Sequence, residues 1–143
     1  MNTRLVIVLL WVLSIVIATC TSDARAFLFD QEVDFRFDLT PNFSELLRLD
    51  DISFSDSFYL TQKTGHFLSF ALLYVLVLNW LKKSEVAFVI TAAFAVFTEI
   101  LQLFFERDGR FFDMGVDLLG ILLAYSVLKI IANVDKAAAK DSY

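Results

Sequence analysis

The chain has 143 residues, of which 58% are hydrophobic, and its formal net charge is −5. The acidic balance argues against nucleic acid as a partner, because phosphate binding needs a concentrated basic surface. A single cysteine cannot form an intramolecular disulfide, so the cysteine content does not indicate the redox compartment. The apolar share exceeds the roughly 45–50% of a soluble domain and points to a membrane protein.

The hydrophobic residues are concentrated in four blocks, residues 5–21, 64–81, 86–105 and 114–132. Each block is close to the roughly 17–25 residues that are needed to cross a bilayer. A soluble four-helix bundle would need a polar stripe along every helix, but residues 86–97 contain no charged residue. We therefore predict an all-α, multi-pass protein of the plasma membrane with four transmembrane helices.

The first block allows two interpretations. Arg4 supplies a basic start before an apolar core, as in a signal peptide, and Ala24-Arg25-Ala26 resembles a cleavage site. The other three blocks, however, need no cleaved leader. We predict that residues 1–21 are retained as the first transmembrane helix, with a cleaved leader as the alternative.

Residues 22–62 form a long acidic segment with nine acids and three arginines. Residues 33–39 alternate apolar and charged side chains, which is the period of a strand with one solvent-exposed face. Pro41 predicts the start of a short amphipathic helix that lies on the membrane surface. We expect the whole segment to be an extracytoplasmic loop after the first helix.

The predicted orientation rests on basic residues that collect on one side of the membrane. The positive-inside rule assigns that side to the cytoplasm. Residues 22–62 and the loop 106–113 then face outward, and residues 133–143 form a cytoplasmic tail. The basic residues concerned are Arg4, Lys82, Lys83, Lys129, Lys136 and Lys140.

Polar residues inside the apolar blocks are predicted to converge at the outer face. The short connections 82–85 and 106–113 make the second, third and fourth blocks antiparallel neighbours. At 1.5 Å per residue, Glu99 lies about 9 Å inside the end of its helix and Asp117 about 6 Å past Asp113. Carboxylates from two adjacent helices therefore lie at matching depths.

An acid within the apolar zone costs on the order of 2.5–3.5 kcal/mol, so two at one level predict a shared, inward-facing polar site. Lys63 and His66 stand at the start of the second block, and Gln102 follows Glu99 by one helical turn. Together with Arg110 in the loop, Lys63 and His66 are the expected counter-charges. These residues and the two acids form the candidate site.

The same residues have plainer interpretations. Glu99 and Asp117 can act as structural links between helices, and Arg110 with Asp113 can be a loop ion pair, worth about 0–1 kcal/mol if exposed. A metal site of His66, Glu99, Asp113 and Asp117 is chemically possible. No recognised ligand spacing supports it, so we assign no metal and no cofactor. In the fourth block, Gly120 and Ala124 predict close helix packing.

The polar residues resemble the motifs of the VanZ-like family of small bacterial membrane proteins. Its pattern has Asp-Lys-x-x-His-Phe-x-x-Phe, then Glu-x-x-Gln before a loop Arg, then Asp, Asn and Gly at fixed intervals. The resemblance covers about residues 62–125, with Gln62 in place of the first Asp and Asp117 in place of Asn. The matching residues are Lys63, His66, Phe67, Phe70, Glu99, Gln102, Arg110, Asp113 and Gly120.

The resemblance implies a four-helix membrane protein and, through the founding member of the family, a link to teicoplanin-type glycopeptide resistance. It does not imply a settled reaction, so whether the chain is an enzyme stays open. We expect it to modify the cell envelope, or the response of the envelope to glycopeptides, with the bilayer and a lipid-linked or cell-wall precursor as partners. The catalytic candidates are His66, Glu99 and Asp117, and the ligand-binding candidates are Lys63, Gln102, Arg110 and Asp113.

Two other classes of function compete with this one. The first is a non-enzymatic assembly or scaffold subunit whose buried polar residues fix helix packing. The second is ion or proton transfer, which would need a polar path to the cytoplasmic side. No acidic or basic residue lies between Asp117 and Lys129, which disfavours transfer.

Overall fold

The computed structural model describes residues 2–50 and 52–141. Within these residues the chain forms five α-helices and two 3₁₀ turns and has no strand. The helices are α1 (Thr3–Cys20), α2 (Ala24–Asp30), α3 (Ser57–Leu81), α4 (Ser84–Gln102) and α5 (Phe111–Asp141), and the 3₁₀ turns are Phe43–Leu47 and Leu103–Phe105.

Four helical stretches in the described part of the chain are long and apolar enough to cross a membrane. They confirm the prediction of an all-α, multi-pass membrane protein. Which side of the membrane each loop faces stays a prediction. The stretches are Thr3–Cys20, Ser57–Leu81, Ser84–Phe105 and Phe111–Lys140.

Two of the membrane helices are longer than their hydrophobic blocks. α3 begins at Ser57 rather than near residue 64, because the Asp56 side chain caps it by accepting the Phe58 backbone N–H at 2.9 Å. α5 continues to Asp141 instead of ending near residue 132. Hydropathy marks the part of a helix that lies in lipid, whereas capping and propensity set where the helix begins and ends.

α3 occupies the centre of the bundle and packs on α5, α4 and α1. Phe70, Leu73 and Tyr74 of α3 are almost completely buried and form the core with Ile121 of α5. α1 joins α3 through a polar contact as well, in which Trp11 Nε1 donates to the Ser69 carbonyl oxygen at 3.0 Å.

The alternating residues 33–39 do not form a strand, and this stretch is irregular. The Asp38 backbone N–H donates to the Phe104 carbonyl at 2.8 Å, and the Phe37 ring lies 5.4 Å from that of Phe105. The alternation thus reflects phenylalanines that pack on the turn after α4, with no neighbouring strand to pair with. Asp34 adds a second tether, since its carbonyl accepts the Ser22 N–H at 2.7 Å.

The rest of the 22–62 segment contains two short helical elements. The element predicted after Pro41 is present as the 3₁₀ turn Phe43–Leu47 rather than as an α-helix. α2 was not predicted, and it begins where the Asp23 carboxylate accepts the backbone N–H groups of Arg25 and Ala26 at 2.9 Å. Such a seven-residue helix carries too little periodicity to be recognised from sequence.

Some of the sequence predictions fall on residues outside the described part of the chain. These are the first residue of the basic N-terminal start, one acid of the 22–62 segment, and the last two residues of the predicted tail. Residues 133–141 of that tail continue α5 as helix. The residues outside the described part are Met1, Asp51, Ser142 and Tyr143.

Gly120 lets α5 approach the backbone of α3. A Cβ atom at this position would overlap the carbonyl group of Phe67, whereas a Cβ at Gly115 would meet nothing within 4 Å. The close packing predicted at Gly120 is therefore confirmed. Only a residue without a side chain fits at this contact.

We expect Gly120→Ala to lower the stability of the helix bundle by about 1–3 kcal/mol, because overpacking forces the two backbones apart. Cys20 is the only cysteine in the sequence and is 2% exposed, so its labelling by a thiol reagent during heating reports unfolding. Gly115→Ala is the matched control. Equal labelling midpoints for the two variants would contradict the proposed packing.

Candidate functional site

Three helices bring a histidine and two carboxylates together. His66 lies on α3, Glu99 on α4 and Asp117 on α5. His66 Nδ1 is 3.2 Å from Asp117 Oδ1 and 3.8 Å from Glu99 Oε1. The side chains of Glu99 and Asp117 are 0% exposed and that of His66 is 11% exposed. The predicted juxtaposition is confirmed, and we call these three residues the triad.

Hydrogen bonds hold both oxygens of Glu99. Gln102 Nε2 donates to Glu99 Oε1 at 2.9 Å from the next turn of α4. The Arg110 backbone N–H donates to Glu99 Oε2 at 3.0 Å. Gly109 makes this second bond possible, because a Cβ there would overlap the Glu99 carbonyl. The orientation of Glu99 is thus fixed by its own helix and by the loop that follows it.

Lys63 and Asp113 form a second buried contact beside the triad. Lys63 Nζ lies 2.7 Å from the Asp113 carboxylate, and the two side chains are 11% and 6% exposed. The ammonium also lies 4.8 Å from the centre of the Tyr59 ring, a favourable position for a cation. Lys63 was expected to balance the charge of the acids, and the acid that it contacts is Asp113.

Arg110 contributes to the site with its backbone. Its N–H binds Glu99, whereas its guanidinium NH2 donates to Asp108 Oδ2 at 2.9 Å. The Arg110 side chain was predicted as a counter-charge to the acids of the site, whereas the group that binds Glu99 is its backbone amide.

Two arginines near the site were missed by the sequence analysis. Arg107 NH1 donates to the Thr21 carbonyl oxygen at 2.7 Å. Burial lowers the pKa of the Arg107 guanidinium, and nearby carboxylates, Glu99 first among them, oppose that shift; an arginine stays charged in either case. Arg25 lies with its guanidinium carbon 4.8 Å from the centre of the Phe58 ring. Arg25 is exposed and Arg107 is half-buried, and nothing in the sequence distinguishes either from the other arginines of the chain.

Two adjoining cavities open beside these residues. A polar cavity of about 450 Å³ is lined by both basic and acidic side chains. A second cavity, of about 220 Å³, is mostly apolar and lies between α1, α2 and α3, with His66 in its wall. Ala24, Gln62 and Arg107 line both. The charged residues of the polar cavity are Asp23, Arg25, Arg36, Asp56, Lys63, Glu106, Arg107, Asp108, Arg110 and Asp113.

The acids of the polar cavity have partners within the protein. Asp23 and Asp56 cap helices, whereas Glu106, Asp108 and Asp113 lie within 4.0 Å of Arg36, Arg110 and Lys63 respectively. By contrast, Arg25 and Arg107 form no ion pair with any other residue that the structure describes. Among the described residues, the cavity therefore offers two guanidinium groups that lie outside any ion pair of 4.0 Å or less.

The VanZ/LLP1 family profile matches residues 5–132. The chain belongs to the VanZ/LLP1 family. It is 33% identical over 135 residues to "Uncharacterized membrane protein YwnJ" of Bacillus subtilis (strain 168), which covers 93% of this chain and 94% of the relative. No solved structure matches it.

The VanZ/LLP1 match is wider than the resemblance seen in the motifs, which ran from about residue 62 to 125. It includes α1 and the acidic segment that carries α2. Arg25 and Arg107 therefore lie within the part of the chain that the VanZ/LLP1 family shares. The polar cavity belongs to the family region rather than to an appended segment.

The seven predicted site residues of this VanZ/LLP1 protein lie close together, but their roles stay predictions. The structure joins them in three connected contacts: the triad, the Glu99 hydrogen bonds and the Lys63–Asp113 pair. The residues are Lys63, His66, Glu99, Gln102, Arg110, Asp113 and Asp117.

We expect Lys63→Met to destabilise this VanZ/LLP1 protein by about 3–5 kcal/mol, because it leaves the Asp113 charge buried without its partner. Adding Asp113→Asn should restore most of the stability, since the double variant removes both charges. Cys20 labelling during heating measures both effects. Arg48→Met, which breaks exposed ion pairs with Glu45 and Asp50, should change stability by at most about 1 kcal/mol. A double variant no more stable than Lys63→Met would contradict the pairing.

Proposed function

We propose that this VanZ/LLP1 protein binds the anionic headgroup of a lipid-linked cell-envelope precursor at the outer face of the membrane. Binding would modify the envelope or its response to teicoplanin-type glycopeptide antibiotics. The observation that carries the proposal is a polar cavity with two guanidinium groups that form no ion pair with another described residue, adjoining an apolar cavity between membrane helices.

The polar cavity suits a phosphate-bearing headgroup. Guanidinium groups bind phosphate through paired, charge-assisted hydrogen bonds, and Arg25 and Arg107 both line this cavity. Its volume of about 450 Å³ falls in the range of small-molecule sites. Burial removes solvent from Arg107, so an anion there would replace lost hydration.

The apolar cavity suits a hydrocarbon chain. Its apolar lining includes Ile15 and Ala18 of α1, Phe27 of α2 and Phe70 of α3. A hydrocarbon chain can fill such a cavity through van der Waals contacts with its apolar walls. Since Arg107 lines both cavities, one amphiphile can occupy both, with its charge at the arginines and its chain among the helices.

The triad lies where the chemistry of a bound precursor would take place. His66 lines the apolar cavity and is in contact with Asp117. An imidazole beside carboxylates can move a proton near neutral pH. If the protein is an enzyme, His66 or Glu99 is the proton carrier. Headgroup binding does not itself require a reaction.

The test is a glycopeptide susceptibility and lipid-precursor profile of a deletion strain that is complemented with variants. We expect the wild-type gene to restore the profile and His66→Ala, Glu99→Gln and Arg107→Gln each to fail, at unchanged membrane abundance. Arg48→Gln, an exposed arginine of the same acidic segment, should complement fully. A deletion strain with an unaltered profile, or full complementation by Arg107→Gln, would count against the proposal.

A scaffold function is the second candidate, and the polar contacts favour it in one respect. Lys63–Asp113 joins α3 to α5, and His66 joins α3 to both α4 and α5. Each contact fixes the relation of two helices, as a purely structural role requires.

The double variant Glu99→Gln, Asp117→Asn separates the two functions. Headgroup binding or catalysis predicts normal membrane abundance with a lost phenotype, because both replacements keep the side-chain size. A scaffold role predicts loss of the protein itself. Quantitative immunoblotting of membrane fractions, beside the single variants and the wild type, measures the difference.

A further inference from the structure

The triad places three potential metal ligands within reach of one ion. One ligand atom from each of His66, Glu99 and Asp117 lies within 4.8 Å of the other two. In a complex with bonds of about 2.1 Å, neighbouring ligand atoms are about 3.0–3.4 Å apart. The observed 3.2 Å and 3.8 Å from His66 Nδ1 to the two carboxylates are close to that spacing, although the residues are far apart in sequence.

The charge of the triad favours a cation. Its two carboxylates face a single imidazole in a site where both acids are 0% exposed. Lys63 contacts Asp113 and Arg110 contacts Asp108, and Arg107 acts on Glu99 only from beyond ion-pair distance. With both carboxylates ionised, one negative charge is left over even when His66 is protonated, and buried charges need a partner or a metal.

A buried oxygen of Asp117 points to the same conclusion. Asp117 Oδ1 contacts His66, but Asp117 Oδ2 is buried and has no hydrogen-bond partner among the residues that the structure describes. Protonation of Asp117 would not satisfy Oδ2, because the resulting O–H group would have no hydrogen-bond acceptor among the described residues. A bound cation uses the lone pairs of the carboxylate directly.

The Glu99 carboxylate is oriented by hydrogen bonds from neighbouring groups, as the carboxylate ligands of metal sites commonly are. Gln102 and the Arg110 amide bind its two oxygens and fix the carboxylate before any ion arrives. Such hydrogen bonds behind a ligand orient it and strengthen metal affinity. The site therefore contains three candidate ligands and hydrogen-bond donors that orient one of them.

We propose that His66, Glu99 and Asp117 bind one divalent transition-metal ion, Zn²⁺ or Mn²⁺, at the meeting point of α3, α4 and α5. Imidazole nitrogen favours Zn²⁺ over Mg²⁺ and Ca²⁺, and carboxylate oxygen accommodates both Zn²⁺ and Mn²⁺. Three protein ligands leave a coordination position for a further group, as in catalytic rather than structural sites. The inference does not rest on the proposed headgroup binding, because it needs only these three side chains.

The test uses the full-length protein in detergent, treated with chelator and then titrated separately with Zn²⁺, Mn²⁺ and Mg²⁺. Calorimetry gives the affinity and elemental analysis of the re-purified protein gives the stoichiometry. We expect one Zn²⁺ or Mn²⁺ per chain and at least tenfold weaker binding of Mg²⁺. Asp117→Asn and His66→Gln should each weaken Zn²⁺ or Mn²⁺ binding by at least tenfold.

Glu85→Gln is the matched control, because Glu85 is an exposed carboxylate at the opposite end of α4 from Glu99; it should bind the ion as the wild type does. Circular dichroism of the metal-free proteins checks that each variant folds. If one variant fails to fold, the other variant and the wild-type stoichiometry still decide.

A wild type that binds less than one ion per chain, or an Asp117→Asn variant with wild-type affinity, would overturn the inference. The proposed function fails separately. A protein that binds no ion but still complements the deletion strain removes the metal site and leaves headgroup binding intact.

Discussion

Ionisable side chains inside a bilayer must find their partners within the protein, because hydrocarbon supplies none. Here the histidine and acids come from three different helices and meet at one level. Glu99 and Asp117 are completely buried beside His66, and Lys63 contacts Asp113 nearby. Rotation of any one of these helices would expose a charge to lipid. Polar contacts therefore fix the helix orientations that apolar packing alone would leave less specific.

Close backbone contacts complement these polar ones. Gly120 brings α5 against the α3 backbone, and Gly109 brings the loop before α5 against the end of α4. The second contact delivers the Arg110 amide to Glu99. A backbone amide loses no side-chain conformational entropy when it binds, so it orients the Glu99 carboxylate at a low entropic cost. The close approach at Gly109 is thus part of what positions the Glu99 carboxylate.

The acidic segment 22–62 forms part of the walls of both cavities. α2 and the start of α3 form walls of both cavities, and the Thr21 carbonyl holds Arg107 in place. An apolar cavity between α1, α2 and α3 thus adjoins a charged one, and His66 of the triad lies in the wall of the apolar cavity.

The sequence by itself determined the four membrane helices and the depth of the acids, because hydropathy, short connections and helical rise act locally. It also placed His66, Glu99 and Asp117 at one face. It could not show that the Arg107 side chain binds the Thr21 carbonyl or that the Arg110 amide binds Glu99. Both contacts depend on the conformation of the loop after α4. Nor could it distinguish a strand from an irregular stretch at residues 33–39. Only the tertiary structure decided these points, because they depend on contacts between residues far apart in the chain.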